Sequence, residues 1–421
     1  MSGKTYVFAL LLIMGGVAPS ACYSQQKTIA SPLTVEEYVD QTPTVVERSL
    51  PALAEYLGRA GKTDKEKAYA IFLWIVKNIA YNTEVRRTGD SSHLDTSAEA
   101  VLATGSTICD GYANIFQGLA AKAGLEVVKI RGITTSDPFA LSNERVKSHA
   151  WDAVKIKGAW QLVDCTWGAG YKDARERFVR NVDDYYFMPP PNEFIYGHFP
   201  NEAQWQLLKP AVTREQFDEL IPVTSLFFRE AIRPISHRKR TINAERTLEV
   251  ILGARENLIF DAALLQDDTP VPDCTFVQRD GEKITISVVF PRAGAYDLRI
   301  LMKGKQEKGA FLSIMEYTVN AKEGKEGKVG FPKILGAFPL YGAYLYTPMD
   351  RYLSAGSTVD FSLDVPGAEE VIVSTGDDVI TLDHQGKRFS GTVLINKGVL
   401  MVAARIPGGT RYNVLLEYIG E

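Results

Sequence analysis

Cysteine and histidine are both scarce in this 421-residue sequence: four cysteines, Cys22, Cys109, Cys165 and Cys274, and five histidines. Four cysteines are too few to build a disulfide scaffold. There is no Cys-x-x-Cys pair and the histidines are scattered, so metal-ligand spacing is missing, and no metal and no other cofactor is expected. An excess of positive charge is missing as well. The formal net charge is −4, which removes the electrostatic case for nucleic acid. Beyond the first residues, no apolar run approaches the roughly 20 residues a membrane helix needs. What remains is the composition of a globular chain, 45% hydrophobic and 23% charged. Its length exceeds what one core fills, so two or three domains are expected.

The N-terminus carries one strong signal. Lys4 precedes an uncharged apolar run from Tyr6 to Val17, followed by the small residues Ala18, Ser20 and Ala21 just before Cys22. This is the pattern of a cleaved signal peptide over residues 1–22. Cys22 after Ser20-Ala21 resembles a bacterial lipoprotein processing site, although Pro19 stands where such sites carry an aliphatic residue. Lipidation at Cys22 would tether the protein to a membrane without spanning it. The expected location is exported: periplasmic, envelope-anchored or extracellular. With Cys22 lost or lipidated, three thiols remain, so one cannot pair within the chain and is a candidate nucleophile.

Residues 23–43 are polar and read as a linker. From Thr44 the apolar residues recur at helical spacing, with Val46, Leu50, Leu53 and Leu57 on one stripe. Thr63-Asp64-Lys65-Glu66 has the form of a capping box opening a second helix, and Thr96 to Glu99 suggests another. A further helix is expected from about Thr107, as N-cap, to Ala123 before Gly124. The period then changes. Val127–Gly132, His149–Lys157 and Ala159–Thr166 read as strands, the last two joined by a turn at Lys157-Gly158. Helices followed by strands describe an α+β domain, placed at residues 44–228. Ser236 to Arg240 looks like a solvated linker, assigned to 229–243. Downstream, short strands such as Ile284–Phe290, Tyr296–Met302, Val359–Val365 and Leu400–Ile406 alternate with turns. They predict two all-β sandwich modules, 244–325 and 326–421, divided at the Lys/Glu/Gly-rich stretch 321–328.

Cys109 falls in the first turn of the helix that starts near Thr107. A helix N-terminus favours an anion and lowers a thiol pKa, and its free amides can receive an oxyanion. Asp110 can complete the cap and Gly111 leaves space beside the sulfur. Position alone leaves an inert buried cysteine open. His149 strengthens the case. If the hairpin turns at Lys157-Gly158, His149 lies opposite Thr166 and Asp164 is its diagonal neighbour on the same face, within reach of the imidazole. That is the geometry of a base and its orienting carboxylate. Asp152 and Cys165 should point the other way. Trp151 shares the His149 face and is a candidate wall of a substrate groove, or packing beneath it.

These residues also carry a family resemblance. Ser106-Thr107-Ile108-Cys109-Asp110-Gly111-Tyr112-Ala113 resembles the nucleophile motif of the transglutaminase-like superfamily. Ser148-His149-Ala150-Trp151-Asp152 resembles its His motif and Leu162-Val163-Asp164-Cys165-Thr166-Trp167 its Asp motif, in family order with Cys165 where Pro is common. Phe187-Met188-Pro189-Pro190, Glu193 to Pro200 and Trp205 to Leu208 are similar to the kyphoscoliosis-peptidase-like branch. The resemblance implies an α+β, papain-related transglutaminase-like domain followed by two immunoglobulin-like modules. It implies a catalytic triad of Cys109, His149 and Asp164, with Asp110, Gly111 and Trp151 beside the substrate.

The function this predicts is thiol-dependent acyl transfer on peptide-type amides, a cysteine peptidase acting on a protein or peptide substrate. The same machinery could serve a protein-glutamine transamidase. A non-catalytic envelope protein is the rival from another class, with the β-modules as surfaces for another envelope protein. Among the other histidines, His93 could border the site, His198 is structural or at the cleft rim, and His237 and His384 are linker and turn residues. Trp74 belongs to the core.

Overall fold

The computed structural model describes residues 33–88, 93–135, 146–173 and 175–421. The segment 1–22 expected as a signal peptide, with Cys22, lies outside them. Within the segment expected as a linker, Val35–Asp40 forms a helix, because Thr34 and Glu37 make a reciprocal capping box. The Thr63/Glu66 box opens helix α1 (Asp64–Asn78), whose Ile71, Phe72 and Ile75 are fully buried. Helix α2 (Cys109–Lys122) packs beside it through Tyr112, Phe116 and Leu119. Strands β1 (Val127–Thr135), β2 (Val146–Ile156) and β3 (Ala159–Val163) follow, then the short helix α3 (Cys165–Ala169) and strand β4 (His198–Pro200).

The four strands form one antiparallel sheet in the order β3-β2-β1-β4. Lys157 and Gly158 both adopt positive φ, 49° and 82°, the conformation of a two-residue hairpin turn. That turn sets the register, with Ile156 opposite Ala159 and Asp152 opposite Val163. Alternation sends Val154 and Ile156 into the core shared with α1 and α2. Trp151 and Ala153 face the other way, under the aromatic stretch that carries Tyr186 and Phe194. The sheet is thus covered on both faces, by helices on one and by the Pro/aromatic segment on the other.

Two β-sandwiches follow. The first stacks a five-stranded sheet, containing Gly294–Gly304 and Leu312–Ala321, on a four-stranded sheet containing Thr247–Gly253 and Lys283–Val289. The second pairs sheets built around Asn413–Gly420 and Thr358–Asp364. They join through Phe276 against Phe338, ring centroids 5.6 Å apart, and through the Leu345 N–H donating to Gln278 Oε1 at 2.9 Å.

The expected linker at 229–243 belongs to the first sandwich instead. Arg233–Pro234 pairs with Leu252–Gly253, and Thr241–Ala244 runs parallel to Thr318–Ala321. Ile232 and Ile242 are buried in that core, as are Ile221, Val223 and Phe227 upstream. The basic run is solvated, but the isoleucines flanking it are anchored, so the boundary lies earlier than residue 228.

Candidate active site

Ile108, not Thr107, is the N-cap of α2, and Cys109 is the first helical residue. Thr107 sits in a two-residue strand parallel to Ala80–Tyr81, with its hydroxyl buried and unpartnered. A Cβ at Gly111 would lie 1.9 Å from that hydroxyl. Gly111 is therefore required by packing against Thr107 and does not open space for substrate. Asp110 does not complete a cap: its carboxylate pairs with Lys129 at 2.8 Å and Arg131 at 2.9 Å. Those two cations offset the negative charge that would otherwise oppose a neighbouring thiolate.

His149 lies on β2 and Asp164 directly after β3. The expected strand to Thr166 stops at Val163, because Asp164 caps α3. Its Oδ1 accepts the N–H groups of Thr166 at 2.7 Å and Trp167 at 3.1 Å. Oδ2 engages His149 Nε2 at 2.7 Å, which leaves Nδ1 as the nitrogen for Cys109. Oδ2 also engages His198 Nε2 at 2.9 Å, so the histidine read as structural or at the cleft rim is bonded to this carboxylate. His198 is held on β4 by Thr134, stacks on Phe194 with centroids 3.8 Å apart, and touches Trp167. Gly132 makes this approach possible. It pairs with His149 on one side and Pro200 on the other, and a Cβ there would meet the Phe199 carbonyl at 2.3 Å.

The electrostatics follow from this wiring. Burial works to raise Asp164, but His149 and His198 hold its carboxyl well below the usual range. Burial works to lower His149, yet Asp164, and then the Cys109 thiol, push it up to about 10. Burial raises the Cys109 thiol, but hydrogen bonding and charge from His149, together with the Ala150 amide, bring it below the usual thiol value. A thiolate beside an imidazolium is the arrangement that supplies a nucleophile and a proton donor together. His198 is kept neutral by burial, down at about 4, so it gives Asp164 a hydrogen bond without a competing charge. Cys165 and Cys274 are buried, and burial raises both thiols. Asp152 points to the helix side of the sheet and is buried with neither oxygen partnered.

Cys109 and His149 open into a cleft of about 560 Å³ whose walls include Trp167, Tyr186, Leu226 and Leu312. Trp151, Asp110 and Gly111 are not in those walls. Trp151 is only 1% exposed and packs under His149 and His198, because the strand face it shares with the imidazole is closed by the aromatic segment. His93 is exposed and outside the cleft. Among the described residues, His149, Asp164 and His198 are the group whose donor atoms lie close enough to hold a metal ion, within 4.8 Å of one another. Both Nε2 atoms are already engaged by Oδ2.

A helix-borne cysteine facing a strand-borne histidine and its carboxylate, with all-β modules behind, defines a transglutaminase-like domain joined to immunoglobulin-like domains. Residues 51–165 match the transglutaminase-like superfamily and residues 214–332 the KY-like, immunoglobulin-like domain. The two matched segments and the relatives that follow support the transglutaminase-like superfamily and, within it, the kyphoscoliosis-peptidase-like branch. It is 29% identical over 306 residues to kyphoscoliosis peptidase of Mus musculus, covering 70% of this chain and 44% of that protein. The Homo sapiens protein of the same name is 30% identical over 278 residues, covering 64% and 40%. Hillarin of Drosophila melanogaster is 34% identical over 187 residues, covering 40% and 22%. The chain thus spans less than half the length of these relatives.

Proposed function

We propose that the protein is a thiol-dependent acyl-transfer enzyme that hydrolyses peptide-type amide bonds. The observation that carries this reading is His149, with one ring nitrogen on a saturated, ionised Asp164 and the other free for Cys109. In the first half-reaction the Cys109 sulfur adds to the carbonyl carbon of the amide. The oxyanion is received at the start of α2, where the Cys109 and Asp110 amides have no intrahelical acceptor. His149 gives its proton to the leaving nitrogen as the C–N bond breaks, and a thioester remains. In the second, His149 takes a proton from water, the hydroxyl adds to the thioester, and the thiolate leaves with the acid as product.

Hydrolysis is favoured over transamidation by the name of the mammalian relatives, which are called peptidases. The signal-like N-terminus supports a site of action outside the cytoplasm. The test is incubation with a peptide library and a primary amine, read by mass spectrometry for cleavage against amine incorporation. Cleavage by the full chain, lost in Cys109→Ala, is the expected result. Amine adducts without cleavage would make it a transamidase, and identical spectra for both proteins would leave the domain as a binding scaffold.

A further inference from the structure

The cleft beside Cys109 is not built by the transglutaminase-like domain alone. One side carries His149, Trp167 and Tyr186. The other is supplied by the immunoglobulin-like domain, through Leu226 on the helix Ser225–Arg229 and Leu312 at the start of Leu312–Ala321. These two leucines are about 85 residues apart in sequence, and the fold fixes both relative to the triad. The Arg229 guanidinium reaches Asp183 at 2.5 Å and also Asp184, and the Ser225 hydroxyl donates to Asp183 at 2.6 Å. Tyr185 stacks on Phe228, centroids 5.9 Å apart and planes 1° from parallel. The segment before the helix is tied to the Leu312 strand by the Thr224 N–H to the Ile314 carbonyl, 3.0 Å, and the Glu316 N–H to the Pro222 carbonyl, 3.2 Å. Helix and strand therefore present their leucines as one surface.

The chemistry of that surface is apolar. Arg229 is neutralised by the two aspartates, and Lys172 by Glu176. Leu312 stands 50% exposed where the sandwich meets the cleft, although its neighbours along the strand, Ile314 and Met315, are buried. An exposed leucine that lines the same cleft of about 560 Å³ as Trp167 and Tyr186 leaves room for one more apolar group among them.

We infer that the immunoglobulin-like domain completes the acyl-donor site, with Leu226 and Leu312 forming a subsite for a branched aliphatic or aromatic side chain of the peptide substrate. This rests on the acyl-transfer reading above. A peptide with such a side chain near the attacked carbonyl is held between the two domains, and one with glycine or an acidic residue there is not. Burying a side chain of that size against the leucines favours it by about tenfold or more.

The test uses the full chain and peptidyl chloromethyl ketones bearing Leu, Phe, Gly or Asp beside the reactive carbon. The Cys109 sulfur forms a C–S bond and displaces chloride. Each rate is divided by the same protein's rate with iodoacetamide, which has no side chain. The wild-type protein is expected to prefer the Leu and Phe reagents about tenfold over Gly and Asp. Leu312→Asp should erase that preference, and Leu312→Lys should in addition raise the rate with the Asp reagent, with thermal melts reporting that both variants fold. Equal rates in the wild-type protein, or a preference untouched in both folded variants, would overturn the subsite. If iodoacetamide does not label Cys109 ahead of Cys165 and Cys274, the acyl-transfer reading itself falls, a result separable from a reactive Cys109 without preference.

Discussion

Asp164 follows Val163, the residue paired with Asp152 across one hairpin, and both carboxylates are removed from water, 0% and 1% exposed. Asp164 has two backbone N–H groups on one oxygen and two imidazoles on the other. Asp152 has none on either. Lys129, its partner in the strand register, spends its ammonium on Asp110 and Asn114 instead. Burial and the nearby charge of Asp164 therefore push Asp152 well above the usual carboxylate value, whereas Asp164 falls far below it. Burial alone keeps a carboxylic acid neutral, and the supply of donors decides whether it ionises. Only the ionised one can orient and charge a histidine.

Asparagine substitutions at the two positions test that contrast most directly. Asp164→Asn should lower turnover about 10³- to 10⁴-fold, and Asp152→Asn should leave it within about threefold. The reverse ranking in a steady-state peptide assay would show that Asp152 is the orienting acid.

The second effect is on pH dependence. The rate of Cys109 acylation by peptide, read as kcat/KM, should rise as the thiol ionises below its usual value and fall when His149 loses, near pH 10, the proton it gives to the leaving nitrogen. Asp164→Asn removes the main charge holding that proton, so the alkaline limb should move down toward about pH 6.5. An unmoved limb would mean that Asp164 does not set the charge of His149.

A smaller effect is expected from the shared oxygen. His198→Phe fills the same space without a donor and should cost about tenfold in turnover, the loss of one hydrogen bond to a charged group. His198→Gln, whose amide N–H can reach Oδ2, should recover most of it. Equal losses in both would point to packing alone.

The smallest effect is on stability. Asp152 has a raised pKa in the folded state, so its contribution is fully present below about pH 4 and is lost as pH rises. Asp152→Asn should therefore be more stable than the parent at pH 7, by a margin that shrinks towards zero near pH 4, as measured by urea unfolding. A difference that grows towards acid would mean that Asp152 is ionised in the native protein.

Much of this geometry was legible in local sequence. The Lys157-Gly158 turn gave the hairpin register, and alternation from His149 separated Asp152 from the imidazole. The rule failed at Val163, where the Asp164 side chain competes for the next backbone amides and starts a helix. Local reading also placed the cap of α2 one residue early, since a threonine before a cysteine looks like a cap whether or not its side chain is claimed by a neighbouring strand. His198 could not be found this way. Its only signal is a histidine in an aromatic run, and what gives it a role is a strand pairing with Thr134 more than sixty residues earlier. The isoleucines at 232 and 242 were likewise masked by the basic run between them.

The two imidazoles on Asp164 Oδ2 reach it from opposite directions along the chain, 15 residues before and 34 after. A ribosome adding about 5–20 residues per second releases Cys109, His149 and Asp164 first, and His198 several seconds later. Leu312 follows later still. A growing chain therefore holds the parts of its nucleophile before it holds the histidine and the cleft wall that finish the site. A chain cut short before β4 would carry Cys109, His149 and Asp164 without the strand that brings His198 to the carboxylate.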